Sequence, residues 1–249
     1  MTTWVLLRGL MREARHWGGF AQSLQRTTGA AQVVCVDFPG NGGLHVQTSC
    51  TSVAGMVEHV RAVLRTRGHE PPYRVLALSL GAMVAVAWGE RHAEEIERMV
   101  LLNTSMAPFN PFHRRLRPRN YPRLLGVLLL GSVVQRERLI LRLTSSRLGA
   151  EERHAILQQW LEYARDCPVS RANMLRQLVA AARFRATLSR PLVPVLLLAG
   201  EQDHLVDPQC SYTLADAWRC ELHVHPEAGH DLALDDGDWV AQQVRAWQG

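Results

Sequence analysis

Three side chains have the types and local settings that nucleophilic acyl chemistry needs. Ser79 stands in Val75-Leu76-Ala77-Leu78-Ser79-Leu80-Gly81-Ala82-Met83, an apolar run that meets a small-residue turn and then a helical pattern. Small residues beside a serine let the backbone turn sharply and lift the hydroxyl clear of the strand. This is the logic of a G-x-S-x-G elbow, which reads A-x-S-x-G here. A serine hydroxyl is a poor nucleophile until an imidazole takes its proton, and a carboxylate must fix the imidazole tautomer. Downstream, Leu198-Ala199-Gly200-Glu201-Gln202-Asp203 sets Asp203 just past an apolar run, and Glu227-Ala228-Gly229-His230-Asp231-Leu232 sets His230 in a small-residue turn past another. The order along the chain is Ser, Asp, His.

Each residue also has a plainer reading. A serine after a buried strand is often a helix N-cap, and Asp203 could simply organise a turn. Asp207, just before Pro208, fits an N-cap better than a catalytic acid. Among the 11 histidines, the rivals to His230 are His204, directly after the proposed acid, and His225, at the end of a strand.

Groups so distant in sequence act together only if the fold gathers them. Short apolar runs recur at about 4–8, 32–37, 73–78, 98–103, 193–199 and 220–225, with helical patterns at 17–27, 51–68, 80–92, 208–217 and 238–247. That alternation predicts an α/β fold: a mostly parallel sheet of six strands flanked by helices. Asp203 and His230 then emerge at the carboxyl edge of the sheet, where ligand and catalytic groups of open α/β sheets gather. The alternation breaks between the fourth and fifth strands, where residues 107–190 read as an inserted all-helical, arginine-rich cap on a core of 1–106 and 191–249. A tetrahedral intermediate needs an oxyanion hole, and Leu6-Leu7-Arg8-Gly9-Leu10 at the end of the first strand supplies a glycine turn facing the nucleophile. The backbone N–H groups of Leu10 and Leu80 are the expected donors.

The Ser79 elbow, Asp203, His230 and Asp37-Phe38-Pro39-Gly40-Asn41-Gly42 after the second strand together resemble the α/β-hydrolase superfamily over essentially the whole chain. Within it the chain is similar to the helical-capped serine carboxylesterases, a group that includes the pimeloyl-carrier-protein methyl ester esterase and the carbon–carbon bond hydrolases of aromatic degradation. The resemblance implies the fold and the triad and leaves the substrate open. Two departures stand out: the usual His-Gly of the oxyanion loop is Arg8-Gly9, and the first elbow glycine is Ala77.

The activity expected is hydrolysis of a carboxylic ester or thioester through an acyl-enzyme on Ser79. Cleavage of a carbon–carbon bond in a diketone on the same triad is the alternative, and a catalytically idle binding module of the same fold is another. No metal or organic cofactor is implied. The five cysteines form no C-x-x-C pair, and their odd number argues against a full disulfide framework. Gly40-Asn41-Gly42 is not a phosphate loop, since the G-x-x-x-x-G-K-[ST] pattern is absent. Without a basic amino-terminal region and apolar stretch of signal-peptide length, the chain is expected to be cytoplasmic. The longest apolar stretch, Leu124 to Val134, is far shorter than the ~20 residues that span a bilayer. It reads as a buried or pocket-lining helix.

The chain has 249 residues, 47% of them hydrophobic, and all 28 of its basic side chains are arginine. Sixteen of these lie between Ala107 and Arg190 against five acids, while the rest of the chain is net acidic. Arg114, Arg115 and Arg117 open this segment, and clustered guanidinium groups bind phosphate bidentately and steer acidic partners. Basic charge beside an apolar lining suits a small-molecule acyl substrate with an anionic handle, such as an acyl-carrier-protein or coenzyme A thioester or an anionic lipid. The competing reading is that an arginine-rich proteome solvates its helix faces with arginine. No nucleic-acid-binding module and no integral membrane segment are recognised. Arg8 and Trp17 are further substrate-binding candidates, although Trp17 could equally anchor its helix to the core.

Overall fold

The computed structural model describes residues 3–247, and all of their side chains except those of Leu128 and Leu129. The predicted strands form as β1 (Thr3–Leu7), β2 (Gln32–Val36), β3 (Tyr73–Leu78), β4 (Ile96–Leu102), β5 (Val195–Gly200) and β6 (Glu221–His225). They pair in parallel in the order β2-β1-β3-β4-β5-β6. The four central strands are apolar almost throughout because a parallel sheet of this kind is covered by helices on both faces. Successive side chains point to opposite faces of a strand. Val5, Leu7, Val75, Ala77, Met99 and Leu101 accordingly enter one core, and Trp4, Leu6, Leu76, Leu78, Val100 and Leu102 the other.

The first core is closed by α2 (Val53–Thr66) and α3 (Leu80–Arg91), joined past β5 by α9 (Gln209–Trp218). The second is closed by α1 (Phe20–Thr28) and α10 (Leu232–Ala246). Two helix starts differ from expectation. Gly18 at φ 52° separates a short 3-10 turn, Ala14–Trp17, from α1, which therefore starts at Phe20. The helical pattern read at 238–247 begins earlier: the acidic Asp235-Asp236-Gly237-Asp238 stretch lies inside α10, accommodated by a kink at Asp236.

Between β4 and β5 the chain makes five helices: α4 (Phe112–Arg115), α5 (Tyr121–Leu130), α6 (Val133–Thr144), α7 (Ala150–Asp166) and α8 (Arg171–Arg183). Ser132 starts α6 with a capping box: its hydroxyl accepts the Gln135 N–H at 3.3 Å, and the Gln135 side chain accepts the Ser132 N–H at 2.8 Å. Leu141, Leu157 and Trp160 form a separate small core between α6 and α7.

The apolar stretch 124–134, read as a buried or pocket-lining helix, spans the end of α5 and the start of α6; Val127 and Leu130 line a groove, but the stretch as a whole is not buried. Leu125, Leu130, Val133 and Val134 are exposed along α5 and the start of α6. Hydrophobicity alone does not determine whether a neighbour will cover such a run. Among the described residues no helix is long and apolar enough to cross a membrane.

Candidate active site

Ser79 links the end of β3 to the start of α3 with φ 56° and ψ −113°, a conformation costly to a residue with a Cβ. Its surroundings hold it there. The Ser79 N–H donates to the Leu102 carbonyl at 3.0 Å, and the Ser79 carbonyl accepts the N–H groups of Ala82 and Met83. Gly81 is needed for close approach, since a Cβ there would lie 2.4 Å from the Leu7 carbonyl oxygen. The loop after β1 packs directly on the serine: a Cβ on Gly9 would lie 3.3 Å from that of Ser79.

Asp203 and His230 meet. His230 Nδ1 lies 2.6 Å from Asp203 Oδ2, and both residues are buried. The other carboxylate oxygen accepts the N–H groups of Leu205 and Val206 at 2.8 and 2.9 Å, so the acid cannot swing away. With the Nδ1 proton directed at the carboxylate, Nε2 is left as the acceptor a general base needs. The rivals are occupied elsewhere. His204 is exposed beside Arg119, while His225 Nδ1 accepts the N–H groups of Glu227 and Ala228 at 3.1 Å and shapes that turn. Asp207 accepts the Gln209 N–H at the start of α9, in keeping with a capping role.

Asn103, which carries no motif, joins these pieces. It follows β4 at φ 42°, a left-handed conformation that asparagine tolerates better than most residues. Its amide donates to the carbonyls of Gly229 at 2.9 Å and His230 at 2.7 Å, and its side-chain oxygen accepts the Gly200 N–H at 2.8 Å. One side chain thus ties the strand leading to the acid to the loop carrying the histidine, one residue beyond the carbonyl that holds Ser79.

Arg8 makes a two-pronged ion pair with Asp231, the residue after His230, at 3.1 and 2.5 Å, and its guanidinium stacks 4.6 Å over Trp17. Arg8 and Trp17, substrate-binding candidates in the sequence, are only 2% and 3% exposed and are engaged with Asp231, with each other and with Phe20. Arg8 clamps the loop after β1 to the loop carrying His230, and Trp17 packs on Phe20 in the second core.

Helices α6, α7 and α8 hold the rest of the loop after β1. Met11, at φ 58°, donates its N–H to Gln177 Oε1 of α8 at 2.9 Å. Gln177 in turn donates to Asn41 Oδ1 at 2.7 Å, and the Asn41 amide returns to the Arg12 carbonyl at 3.0 Å. Arg12 pairs with the buried Glu137 of α6 at 2.6 Å and lies 4.1 Å over Trp160 of α7. Arg12 N–H closes back on the Gly9 carbonyl. The Leu10 N–H lies between these captured groups, and Leu80 opens α3, where the first N–H groups lack intrahelical acceptors. Gln177 could not be found from sequence, because a lone glutamine in an amphipathic helix carries no signal.

The three basic candidates separate. Arg115 donates to the Ala181 carbonyl at 2.7 Å and ties α4 to α8, while Arg117 donates to that of Val206 at 3.3 Å and ties this segment to the loop after β5. Arg114 is exposed. Burial pushes the thiols of Cys35 and Cys220 up to about 11 and Cys210 to about 12, which keeps these three protonated near neutral pH. Among the described residues the one cluster with metal-ligand spacing, His92, Glu94 and Glu95, lies at the opposite edge of the sheet, where Glu95 pairs with Arg61.

No curated protein matches the chain in sequence. In structure it is similar to a hydrolase from Pseudomonas aeruginosa PA01, at TM-score 0.80 and 20% identity, covering 100% of this chain and 90% of that one. It is also similar to the 2-hydroxy-6-oxo-6-phenylhexa-2,4-dienoate hydrolase of Rhodococcus sp. strain RHA1, at TM-score 0.80 and 21% identity over 98% and 89% of the two chains. A third likeness is the enol-lactonase of Burkholderia xenovorans LB400, at TM-score 0.79 and 19% identity over 98% and 89%. At such identities the likeness establishes the fold alone. Residues 5–237 match the family model of the alpha/beta hydrolase fold, and by that match this chain, with its parallel sheet and serine elbow, belongs to the α/β-hydrolase family.

Proposed function

We propose that the protein is a serine hydrolase that cleaves a carboxylic ester or thioester through an acyl-enzyme. The observation that carries the reading is the buried 2.6 Å contact of His230 with Asp203 at the sheet edge that also bears the strained Ser79 elbow. In this mechanism Ser79 Oγ attacks the substrate carbonyl carbon while His230 takes the hydroxyl proton, and Asp203 stabilises the imidazolium. The carbonyl oxygen becomes an oxyanion held by the Leu10 and Leu80 N–H groups. Collapse breaks the bond to the alcohol or thiol, which leaves with the proton from His230. Water, deprotonated by the same imidazole, then attacks the acyl-enzyme and releases the acid and free Ser79.

The finer reading is an acyl group with an anionic handle, of the acyl-carrier-protein or coenzyme A kind, and it rests on the concentration of arginine in the insertion. Five free cysteines are in keeping with a cytoplasmic setting. Turnover of short and medium p-nitrophenyl esters by wild type and Ser79→Ala tests the chemistry, since equal rates would remove Ser79 from it. Arg114→Gln tests the handle: KM should rise for an acyl-coenzyme A and stay unchanged for a neutral ester. Cleavage of a diketone without ester turnover would transfer the same triad to carbon–carbon bond hydrolysis.

A further inference from the structure

The outer hairpin of the insertion, α5 and α6, combines two features that soluble surfaces seldom bring together. Four of its apolar side chains face solvent, Leu130 at 88% and Leu125 at 60%, with Val133 and Val134 at 42% each. Contiguous exposed apolar side chains mark interaction surfaces. The same stretch is almost purely basic: from Tyr121 to Thr144 there are four arginines and one acid, Glu137. Glu137 is buried between Arg12 and Arg136, so its charge does not reach the surface. Arg123, Arg138 and Arg142 are exposed and have no acidic partner among the described residues, whereas Arg147 nearby is paired with Asp236.

The arrangement has a shape as well as a charge. A groove of about 540 Å³ runs between α5 and α6, with Arg123, Arg138 and Arg142 on its walls and Val127, Leu130 and Leu139 beside them. Arg138 and Arg142 are four residues apart and so lie on one side of α6. They also line an adjoining groove of about 650 Å³ with Arg153, His154 and His204. No carboxylate lines either groove.

We propose that this hairpin docks on an anionic phospholipid surface. The phosphates would sit among Arg123, Arg138 and Arg142, with Leu125, Leu130, Val133 and Val134 entering the boundary between headgroups and acyl chains. At ten residues α5 is too short to span a bilayer, so the helix lies in the surface. An acidic protein would be matched by the arginines alone. The solvent-facing leucines and valines beside them match a partner that is anionic outside and apolar just beneath. This docking does not depend on the chemistry assigned to Ser79.

Co-sedimentation with phosphatidylcholine vesicles, with and without phosphatidylglycerol, tests the proposal. Wild type should bind the anionic vesicles, leave the neutral ones, and come off in high salt. Arg138→Gln/Arg142→Gln should weaken binding roughly 30-fold, and Leu125→Ser/Leu130→Ser should weaken it several-fold. Both variants should keep the wild-type melting temperature and turnover of a soluble ester. If a double variant fails to fold, Arg142→Gln and Leu130→Ser serve singly. Equal binding to both vesicle types would overturn the proposal, as would binding that neither variant alters. Dimerisation through Leu125 and Leu130 without vesicle binding would assign the face to a second copy. Arginine-dependent retention on an acidic carrier protein, again without vesicle binding, would assign it to that partner class.

Discussion

Arg8 and Arg142 are the same side chain in opposite circumstances. Arg8 is buried, held by both oxygens of Asp231 and stacked on Trp17, whereas Arg142 stands in solvent on α6 without a carboxylate. The contrast extends to their neighbourhoods. Around the sheet edge, Arg8, Arg12, Asn103 and Gln177 each have assigned partners that fix a loop. On the outer hairpin, Arg123, Arg138 and Arg142 have no acidic partner among the described residues. Charge that is paired and dry defines geometry, while charge left wet is free to meet a partner, so substitutions in the two regions should report on different quantities.

The largest effect expected is on the proposed relay. Asp203→Asn keeps the shape of the hydrogen bond but favours the wrong imidazole tautomer, and kcat for an ester should fall by about 10⁴-fold. A loss below tenfold would take Asp203 out of the relay. Arg8→Met comes next, since it strands the Asp231 carboxylate in the interior and should cost about 3–5 kcal/mol in a urea melt. Arg8→Met/Asp231→Leu removes both charges and should recover most of that stability. If the double variant recovers ester turnover as well, the clamp serves stability more than the placement of His230.

Gln177→Met should act more gently, lowering kcat roughly tenfold with KM held, because a displaced oxyanion donor costs less than a deleted one. Gln177→Glu keeps an acceptor for the Met11 N–H and should retain more activity than the Met variant. Equal losses of kcat and gains in KM in both would indicate general loosening of the insertion.

His16 offers a pH-dependent counterpart. Burial, followed by the nearby Arg12 and Arg8 charges, holds its imidazole well below the usual range, so it stays neutral in the folded protein. The unfolded chain takes up that proton below pH ~6.5. Its contribution is therefore complete above that pH and is lost as pH falls, by about 1 kcal/mol over the first unit. Denaturation midpoints of His16→Gln should fall less steeply than wild type between these pH values. At the far end, Arg138→Gln/Arg142→Gln should change stability by no more than about 0.5 kcal/mol.

Much of the architecture is legible in the sequence where burial is two-sided. Tyr73–Leu78 reads as a strand because it is apolar on both faces and ends in a small-residue turn. Ser79, Asp203 and His230 are legible for a related reason, each following such a run. The partners that hold them are not. Arg8 and Asp231 are 223 positions apart, and the exchange of the usual histidine for arginine does not reveal which carboxylate answers it. Asn103 and Gln177 act through single amides on backbone groups, which leave no spacing pattern. The run from Leu124 to Val134 shows the opposite failure: its hydrophobicity is plain, but hydrophobicity does not say whether anything in the same chain covers it.

The most direct test of the central claim is intact mass after incubation with a fluorophosphonate, which labels only an activated serine and assumes no substrate. The account predicts a single adduct on wild type that is absent from Ser79→Ala and slow to form on His230→Ala. An unlabelled wild-type protein that is folded by its melting curve, or an adduct that persists in Ser79→Ala, would contradict it.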